Sequence, residues 1–219
     1  MTHDTTDDPR ATNHEIGRRR QDRILSKPPR IAPLNRAEHA EEIVEQTTRL
    51  ASAVACAELP PLPLEYCPDL VPTMMKHPAL WESVSQLSAL VQCANAKVPA
   101  RQRQLAIMRA MWLCGAPYQW GEHYERTKKA GFSDADIERI KGGSGAGGWS
   151  ALDEAVLKAV EELEAEAFIS DVVWDALAGH FDESQLMELI ILVGQFTSVA
   201  FLLNSLRLPL EPSNKGFGG

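Results

Sequence analysis

The chain reads as an all-α protein, a single helical domain behind a polar N-terminal arm. Three observations predict this. Apolar residues recur at the helical period in one segment after another. Ser, Asn or Asp stands ahead of several of these segments, where a side-chain oxygen can cap the first turn. No stretch sustains the apolar and polar alternation of a strand between turn signals.

The elements follow in order. Residues 1–30 are polar and charged without apolar periodicity, so they read as an arm, flexible or pinned by a partner, ahead of a domain over 31–219. Its basic cluster, Arg18, Arg19 and Arg20 with Arg23, Lys27 and Arg30, reads as a solvated tail. Pro28, Pro29 and Pro33 hold the next stretch extended. Asn35 with Glu38 forms a capping-box pattern, and the helix it opens runs to about Glu58. Ile43, Val44, Thr47, Leu50, Ala51 and Val54 share one stripe of it, and Pro60, Pro61 and Pro63 end it. Helices are expected over 68–76, 79–96, 100–115 and 117–130, the last closed by Gly131. Ser133, Ser150 and Ser170 open shorter ones, and Asp136 and Asp153 strengthen the first two caps. The final helix, 182–206, is apolar on nearly every face from Leu186 to Leu203, which suits a core or a subunit interface. The glycine-rich run 142–148 reads as a plain connector, since no Lys-Ser/Thr follows it to make a phosphate cradle.

Composition narrows the function. The 219 residues are 44% hydrophobic, enough for one sizeable core. Thirty acids against 22 bases give a charge of −8, which disfavours nucleic acid and anionic membranes as partners. No apolar run is read as approaching the ~18 residues of a membrane span, and no apolar leader opens the chain. A soluble cytoplasmic protein is the expectation. Cys56, Cys67, Cys93 and Cys114 form no C-x-x-C pair and read as small core residues. His3, His14, His39, His77 and His180 make no paired metal-ligand spacing, so no metal site is expected. Nucleophile-elbow, dinucleotide and P-loop patterns are absent from the sequence.

Chemistry concentrates in residues 104–131. Two helices fold back across Gly115-Ala116-Pro117, which can bring Gln104 or Cys114 toward His123. An imidazole can take and give a proton near neutral pH. Trp112, Tyr118 and Trp120 offer an apolar wall, and Gln104 and Gln119 offer hydrogen bonds to a developing oxyanion.

Residues 101–140, with RQRQLAIMRAMWLCGAPYQWGEH followed by KKAGFSDADIERI, resemble the carboxymuconolactone decarboxylase-like family, which includes the alkylhydroperoxidase D proteins. The resemblance extends over about 31–212, through Gly148-Trp149-Ser150, Ser170 to Trp174, and the run from Leu186 through Gln195 and Phe196 to Asn204. It implies an all-α, cofactor-free homo-oligomer, a trimer, dimer or hexamer, acting on a small molecule. His123 matches the family's active-site histidine. Gln104 and Gln119 stand where members usually carry glutamates, and Phe196 where similar chains often have tyrosine. An amide can hydrogen bond but cannot shuttle a proton as a carboxylate does. The peroxidase branch's two cysteines would fall at Ala116 and Gln119, so a dithiol mechanism is not available there.

The resulting expectation is a cofactor-free lyase, a decarboxylase or proton-shifting isomerase of a small cyclic or aromatic-derived acid or lactone. His123, Gln104 and Gln119 would be catalytic, with Trp112, Cys114, Tyr118, Trp120 and Gln195 binding substrate. The alternatives are a thiol peroxidase using Cys114 and a non-catalytic oligomeric binding protein.

Overall fold

The computed structural model describes residues 12–218, and among these every regular element is helical. Helix α5 (Ala100–Leu113) is the hub. Gln102 through Trp112 are all buried, because α6 (Pro117–Lys129), α8 (Ala151–Glu166) and α10 (Glu183–Leu206) pack around it. Leu105, Ala106, Met108, Ala110 and Met111 have no exposed surface at all. This is the structural meaning of two apolar stripes on one helix.

Charge enters this core only with partners. Arg109 donates to Glu161 Oε1 at 3.0 Å and to the carbonyls of Lys141 and Ile140 at 2.8 and 3.2 Å. Arg101 and Gln102 both donate to the buried Asp153, at 2.9 and 3.0 Å. Ser150 does cap α8, but the Asp153 carboxylate is committed to α5 and closes no capping box.

The remaining helices complete the layer. Helix α2 (Ala40–Ala55) packs against α4 (Pro78–Gln92), with the short α3 (Leu70–Met74) between them, and α4 leans on α10. Helix α7 (Asp134–Gly142) opens on a full Ser133–Asp136 capping box, and α9 (Asp171–Ala178) packs on α8.

Several expectations need correction. Part of the stretch read as an arm is helix α1 (Asn13–Leu25), opened by a Thr12–Glu15 capping box and folded onto its own chain. Arg20 is not a solvated tail residue, since it donates to Trp112 O at 2.6 Å with its guanidinium over the Trp112 ring. The arm's first eleven residues, including His3, lie outside the described ones. Asn35 bonds Glu38 and the Ala37 N–H in a turn, but the helix begins only at Ala40, behind His39, and ends at Ala55. Of the cysteines only Cys67 is buried, while Cys56 is exposed. The glycine-rich run is a short 3-10 turn, Gly143–Ala146, held at its start by Arg109 and Glu161. Finally, α10 carries an 18-residue window of mean hydropathy 2.0, 44% of it buried, so by length and composition one helix could cross a membrane. Here it packs on α5, and its outer face leaves Met187, Ile191 and Phe201 exposed.

Candidate functional site

The turn between α5 and α6 sets the site. Gly115 takes φ +59, a left-handed conformation suited to glycine, and Pro117 starts α6 in its first turn, where its missing N–H costs nothing. The two helices therefore run back along each other, and residue 123 meets residue 104. His123 Nδ1 lies 3.0 Å from Gln104 Oε1. With that oxygen as acceptor, Nδ1 carries the proton and Nε2 holds the lone pair. Among the described residues Nε2 has no hydrogen-bond partner. Thr127 lies one turn on, its hydroxyl donating to His123 O at 2.8 Å and sitting 3.5 Å from Gln104 Oε1. Phe196 meets the imidazole edge-on at 5.0 Å.

His123 is buried, and burial holds its pKa well below 6.5, with the nearby Arg126 cation adding to the effect. The imidazole is therefore neutral at neutral pH. Gln104→Glu is expected to reverse this. A carboxylate 3.0 Å from Nδ1 favours the imidazolium. The His123 titration, followed by NMR of its ring protons, should move to higher pH by on the order of one pH unit. A titration that stays in place would mean that the two side chains do not face each other.

His123 borders a cavity of about 150 Å³. Its walls come from four directions: Leu70 and Met74 of α3, Trp81 and Ser88 of α4, Tyr118 and Gln119 of α6, and Gln195 and Phe196 of α10. The lining is mainly apolar. Gln119 is buried and donates weakly to Phe196 O at 3.4 Å, which leaves its Oε1 without a partner among the described residues. A buried amide oxygen without a donor is costly. Gln119, expected to offer a hydrogen bond to an oxyanion, lines the cavity with its N–H spent only on that long bond. Gln195 donates to Ser88 Oγ at 2.9 Å and Val84 O at 3.3 Å, which fixes α10 against α4.

At the cavity's edge, Glu122 and Arg126 also line a wider neighbouring cleft of about 610 Å³. Arg126 donates to Gln92 Oε1 at 3.1 Å. Burial raises the Glu122 carboxyl, which accepts a 3.0 Å bond from Asn214. Tyr118 donates to Glu211 at 3.2 Å, and burial, then Glu122 and Glu211, push its hydroxyl well above the usual tyrosine range. Sequence reading passed over Glu122 and Arg126 as site residues. Arg126 lies one helical turn beyond His123, and that spacing was the available signal.

Other expected site residues lie elsewhere. Trp112 and Trp120 do not line the cavity; they stack with Phe217 at 5.1 and 5.6 Å, on the side of the hairpin covered by α1 and the C-terminal turn. Cys114 is also outside it. Its thiol donates to Glu164 at 3.6 Å, and burial with that carboxylate pushes its pKa to about 12. A thiol so held is not a thiolate at neutral pH, and the peroxidase expectation loses its nucleophile. Among the described residues no group of three or more His, Cys, Asp or Glu is placed to hold a metal.

The fold and the buried histidine define a helical bundle with a mainly apolar cavity. Residues 79–162, the stretch from α4 to α8 that includes His123, match the carboxymuconolactone decarboxylase family, as the resemblance in the sequence implied. Three solved structures share the fold. One is a protein of unknown function from Agrobacterium tumefaciens, likened by name to the antioxidant defence protein AhpD, at 18% identity and TM-score 0.57, covering 63% of this chain and 94% of that one. The debrominase Bmp8 is 14% identical with TM-score 0.66, covering 85% and 94%. A cysteine-to-alanine variant of Bmp8 in complex with 2,3,4-tribromopyrrole is 14% identical with TM-score 0.66, covering 86% and 95%. No curated protein sequence matches the chain.

Proposed function

We propose that the protein is a cofactor-free enzyme that moves a proton on a small, single-ring organic acid or lactone, as an isomerase or decarboxylase. One observation carries this reading: a neutral imidazole, bonded through Nδ1 to Gln104, borders a mainly apolar cavity. A base whose lone pair is not spent on the protein can take a proton from an acidic C–H or O–H and return it elsewhere. Gln104 holds the other nitrogen protonated, so Nε2 is the reacting atom and Gln104 a positioning residue.

The surroundings support a substrate class. A cavity near 150 Å³ matches an engineered apolar cavity of that volume that binds benzene, so a single ring fits. The fold neighbour that holds a substituted pyrrole has an occupant of comparable size. Gln119 Oε1 would accept from a hydroxyl or ring N–H of the substrate. Arg126, at the opening to the wider cleft, would meet a carboxylate. In a decarboxylation the carboxylate leaves as carbon dioxide, and the proton that reaches the carbanion is one His123 first took from the substrate's own O–H or N–H. The oxygen or nitrogen left without its proton regains one from water, so the decarboxylation takes up one proton overall.

The test is a panel of single-ring carboxylic acids and lactones incubated with the protein in deuterated water. Turnover or deuterium exchange at a substrate carbon is expected for monocyclic members and not for bicyclic ones. No exchange and no product across the monocyclic set would sink the proposal.

A further inference from the structure

The proposed reaction uses none of the four thiols, and two of them lie near each other. Cys56 follows the last turn of α2, and Cys93 follows the last turn of α4. These two helix ends are tied by a backbone bond, Ala94 N–H to Val54 O at 3.1 Å. Cys56 sits in the left-handed region at φ +51, where the chain turns out of α2, and its thiol donates to Ala53 O at 3.7 Å. The Asn95 N–H, the Cys93 thiol and the Ala94 N–H are its neighbours there and favour its thiolate. Cys56 is exposed and Cys93 half-buried, so a small reagent can reach the first directly.

We propose that Cys56 and Cys93 form a thiol–disulfide exchange site, with Cys56 the attacking sulfur, Cys93 the resolving one, and a low-molecular-weight organic disulfide the oxidant. The Cys56 thiolate attacks one sulfur of RSSR, forming a protein mixed disulfide and releasing RS⁻. The Cys93 thiolate then attacks the Cys56 sulfur, forming the Cys56–Cys93 bond and releasing the second RS⁻. The protein pair loses two electrons and two protons, and RSSR becomes two RSH.

The surroundings favour this order. The Asn95 N–H, then the Cys93 thiol, then the Ala94 N–H lower the Cys56 pKa, which enlarges its thiolate fraction. Arg103 donates to Cys93 O at 3.2 Å and brings a buried guanidinium to the same corner. As a thiol, Cys93 donates to Leu90 O at 3.4 Å at the end of its own helix, which the Ala94 N–H to Val54 O bond ties to the end of α2. Cys114, in contrast, is pushed to about 12 and enclosed, and Cys67 is buried. The site also has a structural reach. Gln92, next to Cys93, accepts the Arg126 hydrogen bond at the cavity edge.

Peptide mapping of the folded full-length protein after exposure to oxidised glutathione at neutral pH tests this, with free thiols alkylated first. The expected result is a Cys56–Cys93 cross-linked peptide, with Cys67 and Cys114 alkylated only after unfolding. Cys93→Ser should stop at a glutathione mixed disulfide on Cys56. Cys56→Ser should slow the reaction of Cys93 by about tenfold or more. Recovery of both residues as free thiols from the wild type would overturn the proposal, as would stable glutathione adducts without cross-link. Equal reactivity of Cys93 in Cys56→Ser would overturn the assigned order. The wild-type map alone decides the cross-link should either variant fold poorly.

Discussion

His123→Gln is expected to lower kcat on any substrate found in the panel by roughly 10²–10⁴-fold, the usual contribution of a positioned general base. Glutamine keeps a polar group of similar reach that can still bond Gln104, but it has no lone pair of useful basicity. KM should move far less, because the apolar walls and Arg126 remain. The pH dependence gives a second readout. Burial holds the His123 pKa well below 6.5, so the base stays unprotonated through neutral pH, and the acid limb of kcat/KM should lie well below 6.5. Stability follows the same sign. As pH falls below about 6.5 the unfolded chain binds a proton that the folded imidazole refuses, so the unfolded state gains and stability drops. Above that window the two states match and the term vanishes. His123→Gln removes the term, so the variant's stability should fall less steeply between neutral pH and pH 5 than the wild type's. An unchanged kcat would end the assignment of His123.

The hairpin that creates the site was legible because three residues, Gly115, Ala116 and Pro117, force it, and helical spacing then puts 104 beside 123. Tyr118 and Gln119 stand on the second helix of that hairpin and line the cavity, whereas Gln195, expected from the resemblance alone, reaches it from α10. Trp112 and Trp120 were not. An aromatic residue on a helix that is apolar on most sides carries no local mark of which side meets a cavity and which meets core. The answer came from Arg20 and Phe217, some 90 and 100 residues away in sequence from Trp112, which cover that side. The far wall of the cavity was silent in the same way. Met74, Trp81 and Leu202 are ordinary apolar residues, and only the packing of α3 and α4 on α10 makes them a wall. Helix α1 went unread because its sequence is mostly charged, and it buries little more than Gly17 and Ile24.

Gly143→Ala is expected to cost roughly 3–5 kcal/mol, adding backbone strain to overpacking. Gly143 adopts φ +68 and ψ −153, a region that residues with a Cβ rarely enter. A Cβ there would lie 2.1 Å from Glu161 Oε1 and 2.4 Å from an Arg109 nitrogen. Neither neighbour can yield cheaply. Arg109 is buried and shared among Glu161 and the carbonyls of Ile140 and Lys141, and Glu161 also accepts from Ser144. Moving either would separate a partly buried charge from its partner, which costs more than the pair contributes when intact. The expected melting point falls by about 10 °C, since each kcal/mol is worth 2–4 °C in a chain of this size. Gly145→Ala, two residues on, is the control. Nothing lies within 4 Å of its added Cβ, so its melting point should stay near that of the wild type. Equal melting points for Gly143→Ala and the wild type would mean that the glycine run is the plain connector its composition suggests, and that Arg109 and Glu161 do not clamp it.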